Sequence, residues 1–259
     1  MSLKIAIVSD IHAGSDNEFI KGTLSFDLLR EALSHLATEK PDYLVDLGDR
    51  TNDDHVYELV KHLNKLGKLF ANFSAPRQHL LGNHDFLHPA MQSKYLGFTF
   101  GNASLELGAW QLVFLNAFDG SVSGKITDQD LIWLEQTLAA SRLPAIIFTH
   151  QPLDGQDVKG NVLFEPFPHW LHSEGHEKAR AILEASKKVQ LVLSGHGHWT
   201  HLEHIKGIYY LTLDSFVPSA KTSNATAFYS LLELKDKDIN LCTFGRESLE
   251  FKFMVNRQT

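Results

Sequence analysis

Aspartates, histidines and one asparagine collect just past the ends of five apolar runs in this chain. Asp10 and His12 follow Ile5–Ser9. Gly48-Asp49 follows Tyr43–Leu47, and Gly82-Asn83-His84-Asp85 follows Gln78–Leu81. His150 follows Ala145–Thr149, and Gly195-His196-Gly197-His198 follows Leu191–Ser194. Carboxylates and imidazoles crowded together need cations, because carboxylates packed without them shift their pKa values and protonate. Three to four His, two to three Asp and an Asn would gather there, and about seven ligands are too many for one tetrahedral site. Two ions sharing a bridging carboxylate would use them all. Mixed His, Asp and Asn ligation suits Mn, Fe or Zn better than an all-oxygen Ca or Mg site. Asp10-x-His12 and His196-x-His198 would each put two ligands on one side of an extended segment. Gly195 and Gly197 would let the backbone fold closely around the ions. A single Asp-x-His or Gly-Asp carries little meaning, and Gly-Asn-His-Asp alone could be a turn. The weight lies in all five segments occurring in order, each at a strand end.

The elements that must position these residues alternate between strand and helix. Lys4–Val8 and Tyr43–Leu47 read as buried strands, as do Ala145–Thr149 and Val189–Ser194. Leu24–Ala37 has helical spacing and is stopped by Pro41. Val56, Leu59, Val60 and Leu63 mark a second amphipathic helix. Leu69–Phe73 and Gln78–Leu81 read as short strands, and Pro89 opens a short helix through Tyr95. Short strands are expected within Phe98–Phe118. Thr127–Leu138 reads as a helix capped by Thr127, with Asp128 and Asp130 in its first turn. Glu174–Ser186 is expected to be helical. From His201 onward a β-meander is expected, through Ile208–Leu213, Ala227–Leu234, Ile239–Phe244 and Phe251–Val255. The pattern predicts an α/β fold with two packed sheets and helices outside, in one domain over residues 1–259. If the five strands lay side by side and parallel, their loops would converge at the carboxyl end of the sheet.

The 259 residues include 43% hydrophobic and 21% charged side chains, an ordinary globular balance. With 24 Lys and Arg against 31 Asp and Glu the net charge is −7, which argues against long nucleic acids as partners. No run reaches the roughly 18 apolar residues of a membrane span, and no secretory leader is evident. Cys242 is the lone cysteine and cannot form an internal disulfide. A cytoplasmic protein without a membrane partner is the expectation.

As a set, Asp10-Ile11-His12, Gly48-Asp49, Gly82-Asn83-His84-Asp85, His150 and Gly195-His196-Gly197-His198 resemble the calcineurin-like metallophosphoesterase superfamily. The likeness runs from residue 4 to 200. Gln129–Leu134 followed by Ile146–His150 is similar to its cyclic-nucleotide-phosphodiesterase-like members. The resemblance implies a four-layer α/β sandwich with two mixed sheets and a dinuclear metal site. It implies Asp10, His12 and His198 on one ion, Asn83, His150 and His196 on the other, and Asp49 bridging. It also implies that His84 is the catalytic histidine, that Asn83 and His84 meet the substrate, and that Asp85 orients His84. The implied activity is hydrolysis of a small phosphorylated metabolite or nucleotide, a diester or a monoester, by a metal-activated bridging hydroxide. Many members carry a carboxylate where this chain has Asn52, with Asp53 next to it. The lack of Tyr at Asn52 speaks against the purple acid phosphatase branch. The lack of Asp-Arg-Gly and Gly-Asn-His-Glu speaks against the protein Ser/Thr phosphatases.

Gln151–His176 carries Phe164, Phe167 and Trp170 without clear regular structure, and a loop of this length is often functional. Its aromatics either stack on a nucleobase or plug the loop onto the core. Arg50 either contacts a phosphate or forms an exposed pair with Asp53 or Asp54, the duller reading being favoured. His35, His55, His62, His201 and His204 read as surface or packing residues, and His172 with His176 does not suffice for a third metal. A nuclease or a nucleotide pyrophosphatase is the alternative enzyme. A non-catalytic scaffold is a third reading, which intact His84 and ligands argue against.

Overall fold

The computed structural model describes residues 2–52, 54–85, 89–117, 124–221 and 224–255. Its strands are β1 Leu3–Val8, β2 Tyr43–Asp46, β3 Arg77–His79, β4 Ala103–Leu107, β5 Trp110–Leu115, β6 Ala145–Thr149, β7 Val189–Ser194, β8 His201–Ile205, β9 Ile208–Thr212, β10 Phe228–Leu234, β11 Asp238–Gly245 and β12 Glu250–Met254. The helices are α1 Ser25–Thr38, α2 Val56–Ala71, α3 Pro89–Leu96, α4 Asp128–Ala140 and α5 His176–Ser186. One six-stranded sheet runs β12-β11-β10-β1-β2-β3 and the other β4-β5-β6-β7-β9-β8. Within them β1, β2 and β3 are mutually parallel, as are β5, β6, β7 and β9.

The layering follows from strands apolar on both faces. Ile5 and Ile7 of β1 meet Phe114, Phe148, Leu191 and Leu193 of the opposite sheet. The alternate Ala6 and Val8 face Leu29, Leu33, Leu63 and Phe70 of α1 and α2. On the far side, Val113 and Ile147 pack against Leu134 and Leu138 of α4 and Leu183 of α5. The result is helices, sheet, sheet, helices. Thr127 caps α4 in a reciprocal pair with Asp130, so the predicted cap is present. No helix among the described residues is long and apolar enough to cross a membrane.

Three expectations change. Leu69–Phe73 is not a strand: Leu69–Ala71 ends α2, whose apolar stripe Leu59, Leu63, Leu66 and Phe70 continues through it. The five site-bearing strands do not share a sheet. β1, β2 and β3 lie in one and β6 and β7 in the other, and the loops meet because the two sheets are stacked. The C-terminal meander is also divided. After β8 and β9 complete the second sheet, β10 crosses back to pair antiparallel with β1, and β11 and β12 extend from it. Phe118 lies outside the described residues.

Candidate active site

Two loops form the floor of the site. Past β1, the amides of Asp10, His12 and Ala13 donate to the carbonyls of Gly48, Asp49 and Arg50 at 3.0, 2.9 and 2.8 Å, so the segments after β1 and β2 run together. Asp10 and His12 are not extended. Their φ values are +56° and +44°, and those of Asp49, His196 and His198 are +54°, +64° and +48°. Five of the eight left-handed non-glycine residues among the described residues are thus predicted ligands. Such a conformation is costly for non-glycine residues, and it concentrates at functional sites. It aims the side chains inward where an alternating strand would not. Gly195 serves by lacking a side chain, since a Cβ there would strike Ser9 Oγ and Asp10 Oδ2.

The predicted ligands converge in two groups, Asp10, His12 and His198, and Asp49, His150 and His196. In the first, His12 Nε2 lies 3.1 Å from His198 Nε2, which is 3.4 Å from Asp10 Oδ1. In the second, His150 Nε2 lies 3.2 Å from Asp49 Oδ2 and 3.2 Å from Asn83 Oδ1. Asp49 Oδ2 is also 3.9 Å from His12 Nε2, so it faces both groups. Among the described residues that buried oxygen receives no well-formed hydrogen bond, an arrangement that fits a cation. Outer contacts fix the rings. His150 Nδ1 meets the Leu47 carbonyl at 3.0 Å, and His196 Nε2 meets the Trp170 carbonyl at 2.9 Å. Each leaves its other nitrogen for a metal.

The electrostatics prepare the same chemistry. Burial opposes charge on Asp10, yet His198 and His150 hold its carboxyl below the usual range. Asp49 likewise stays ionised against burial through His150, His84 and His12. Burial drives His12 and His196 down to about 3, leaving neutral imidazoles with a lone pair to donate. Burial also disfavours charge on His150, but Asp49 beside it and Asp10 raise it to about 9. Near neutral pH His150 therefore carries a proton that an ion bound there would have to displace. Metal binding is expected to release a proton and to tighten as pH rises toward 9. Calorimetry of metal binding in buffers of different ionisation enthalpy checks this, and heats independent of buffer would refute it.

Arg50 corrects a prediction outright. It makes no exposed pair with Asp54 and reaches no surface. Its guanidinium is fully buried and donates to Asp46 Oδ2 at 2.9 Å, Leu80 O at 2.6 Å, Asp85 Oδ2 at 2.8 Å and Gln92 Oε1 at 2.9 Å. Asp54 instead faces His62 and the Ser15 amide, and Asp53 lies outside the described residues. Asp85 accepts from the amides of Gly82, Asp49 and Arg50, tying the loops after β2 and β3 together. Burial, opposed by Arg50 and aided by Asp49, lifts Asp85 to about 6. Asp46 and His79, joined at 2.8 Å, complete this support and had no motif to reveal them. Asn52 is buried, and its amide donates to the Ser15 carbonyl at 2.8 Å.

His84 stands at the mouth of the floor. Its amide donates to Asp49 Oδ1 at 2.7 Å, and its ring meets His12 edge-on at 5.1 Å. Above the two groups opens a cleft of about 520 Å³, walled by Phe19, Phe164, Phe167 and Trp170. The long loop plugs onto the core through one of its aromatics only. Phe164 is buried beside Leu171 and against the His196 ring, whereas Phe167 and Trp170 stack at 4.3 Å and stay exposed to the cleft. His172 and His176 stack on each other at 4.7 Å, apart from the two ligand groups.

The fold is a four-layer α/β sandwich whose loop end gathers two groups of side chains that could hold metal ions. The calcineurin-like phosphoesterase profile matches residues 3–200, and the chain belongs to that family. A probable cyclic nucleotide phosphodiesterase from Synechococcus sp. is 24% identical over 212 residues, 78% of this chain and 76% of that protein. Another so named from Moraxella catarrhalis is 22% identical over 223 residues, covering 78% and 74%. A dimetal phosphatase from Danio rerio shares the fold at a TM-score of 0.79 and 17% identity, with 98% and 99% of the chains covered. A purple acid phosphatase from yellow lupin shares it at 0.69 and 13% identity, covering 98% of this chain and 54% of that one. The chain is therefore a phosphoester hydrolase by family.

Proposed function

We propose that the protein hydrolyses small nucleotide-like phosphodiesters at a dinuclear centre of Mn, Fe or Zn. The carrying observation is Asp49 Oδ2, buried between two groups of potential ligand side chains and receiving no well-formed hydrogen bond among the described residues. Asp10, His12 and His198 would hold one ion, Asn83, His150 and His196 the other, and Asp49 both. Such ions supply charge neutralisation for the phosphate and lower the pKa of water toward neutrality.

The remaining roles belong to the chain. Asn83 and His84 line the cleft; a phosphate would lie against them, and His84 would protonate the departing oxygen. Asp85 positions His84 by bracing the loop that carries it. The cleft volume suits a small molecule. The exposed Phe167–Trp170 pair offers a flat ring a stacking surface, an interaction worth about 1–3 kcal/mol per base. The relatives' names also support a nucleotide substrate.

The test uses metal-stripped protein with Mn, Fe, Zn or Ni restored singly. Bis(p-nitrophenyl) phosphate should be cleaved faster than p-nitrophenyl phosphate, and only with metal. Preference for the monoester, or activity independent of metal, would overturn the reading. His84→Ala should keep both ions by elemental analysis yet lose about 10²–10⁴-fold in kcat, the usual contribution of general acid catalysis. A kcat within a factor of two of the parent would remove His84 from the mechanism.

A further inference from the structure

The cleft is not the only hollow beside the ligand groups. A second one, of about 260 Å³, shares Phe19, Ile20, Leu163 and His198 with it and extends away to Asp214, Ser215 and Arg246. The two differ in chemistry. On the side of His196 the cleft is aromatic, since Trp170 and Phe164 touch that histidine. On the side of His198 the second hollow is floored by an ion pair. Arg246 donates to Asp214 Oδ2 at 2.7 Å and to the Ser215 carbonyl at 2.6 Å, and Asp214 Oδ1 accepts the Ser215 amide at 2.7 Å.

The wall between the two is built into the fold. Asn17 Oδ1 accepts the amides of Phe19 and Ile20, and Ile20 bridges to Ser219. The Ala220 amide donates to the Phe19 carbonyl at 2.8 Å, which anchors the Phe19 backbone at the boundary. The opposite end is held by Asn161, whose amide donates to the Gly197 carbonyl at 2.8 Å between the two histidines.

The geometry points to a substrate-binding subsite in this second hollow, one that takes a hydroxyl-bearing substituent on the phosphate. Each carboxylate oxygen of Asp214 has capacity for a further donor beyond its present one, and neighbouring hydroxyls of a sugar or polyol supply such donors. A phosphate above the ligand groups would then send a flat ring toward Phe167 and Trp170 and a polyol arm past His198 toward Asp214. This favours open diesters with two separate arms. A cyclic nucleotide ties both ester oxygens to one ribose and would leave one compartment unfilled. The inference rests on the phosphodiesterase reading and adds a second specificity element to it.

The test compares methyl p-nitrophenyl phosphate with 2,3-dihydroxypropyl p-nitrophenyl phosphate on the metal-loaded protein. Water adds to phosphorus, the aryl P–O bond breaks, and p-nitrophenolate departs from both. The diol substrate should have a kcat/KM at least about tenfold higher, the scale of hydrogen bonds to a charged acceptor. In Asp214→Asn that ratio should fall toward one. Val162→Trp, which narrows the hollow from an exposed position, should lower the ratio without removing the Arg246 partner. Using the ratio divides out general damage to either variant. Equal cleavage of both diesters by the parent protein, or a ratio unchanged in both variants, overturns the subsite and leaves the phosphodiesterase reading intact. Cleavage of neither diester overturns both.

Discussion

Asp49→Ala is expected to yield folded protein that binds neither ion and retains at most roughly one thousandth of parental activity. Metal ions stabilise the transition state by several kcal/mol, and each 1.36 kcal/mol is about tenfold in rate. Asp49 Oδ2 is the atom that faces both ligand groups, 3.2 Å from His150 and 3.9 Å from His12. Without it, the first group keeps a single carboxylate and the second keeps none. The fold loses the carboxylate that His150, His84 and His12 hold ionised, a loss partly offset because Asp49 also raises Asp85 and crowds Asp10. Circular dichroism should be unchanged while elemental analysis falls from two ions per chain to none. Asp49→Asn separates charge from shape, since it can still accept the His84 amide yet lacks the negative charge. Two ions retained in Asp49→Ala at parental affinity would end the shared-carboxylate scheme.

Arg50→Met should destabilise the fold by about 3–5 kcal/mol, the usual cost of removing one partner from a buried ion pair. For a chain of this size that is a Tm lowered by roughly 6–20 °C. Arg50 is the cation between Asp46 and Asp85, both fully buried, and its fork also satisfies Leu80 O and Gln92. Arg50→Lys should recover little, because a point charge cannot span four acceptors on two sides. The pH dependence gives a further check. Asp85 already titrates near 6 in the fold against an ordinary 3.8, so its protonated form is favoured in the folded state. Removing Arg50 raises it further. The deficit should thus be largest at neutral pH and shrink as pH falls through 6 toward 4, where Asp85 becomes neutral. Differential scanning calorimetry across that range measures it. A loss below 1 kcal/mol at pH 7 would show that the buried pair is not the support described.

Much of the site was legible because its information is local. Strands such as Ile5–Val8 and Ala145–Thr149 are apolar on both faces, and the next residue that is not apolar marks a strand end. His, Asp and Asn at those ends identify themselves by type. Arg50 was not legible, because an arginine next to Asp53 and Asp54 has the same sequence signature whether exposed or buried. Its burial depends on Asp85 and Gln92 arriving from a later loop. Asp46 and His79 were hidden for the same reason: each looks like an ordinary strand residue until the two are joined inside. The helix that absorbed Leu69–Ala71 shows a smaller failure, in which a short apolar run fits strand and helix alike.

From the amino-acid order alone came the inventory: which side chains could ligate, their succession, and a layered fold of parallel strands and helices. Those are settled by residue type and by periods of two and 3.6, which act over a few neighbours. The tertiary structure decided everything that depends on distance between remote segments. It divided the five strand ends between two sheets, turned Asp10, His12, Asp49, His196 and His198 into the left-handed conformation that aims them at one another, and sealed Arg50 beneath them. The physical reason is that backbone strain and buried charge are tolerated only where surrounding packing compensates for them, and that packing comes from residues up to two hundred positions away.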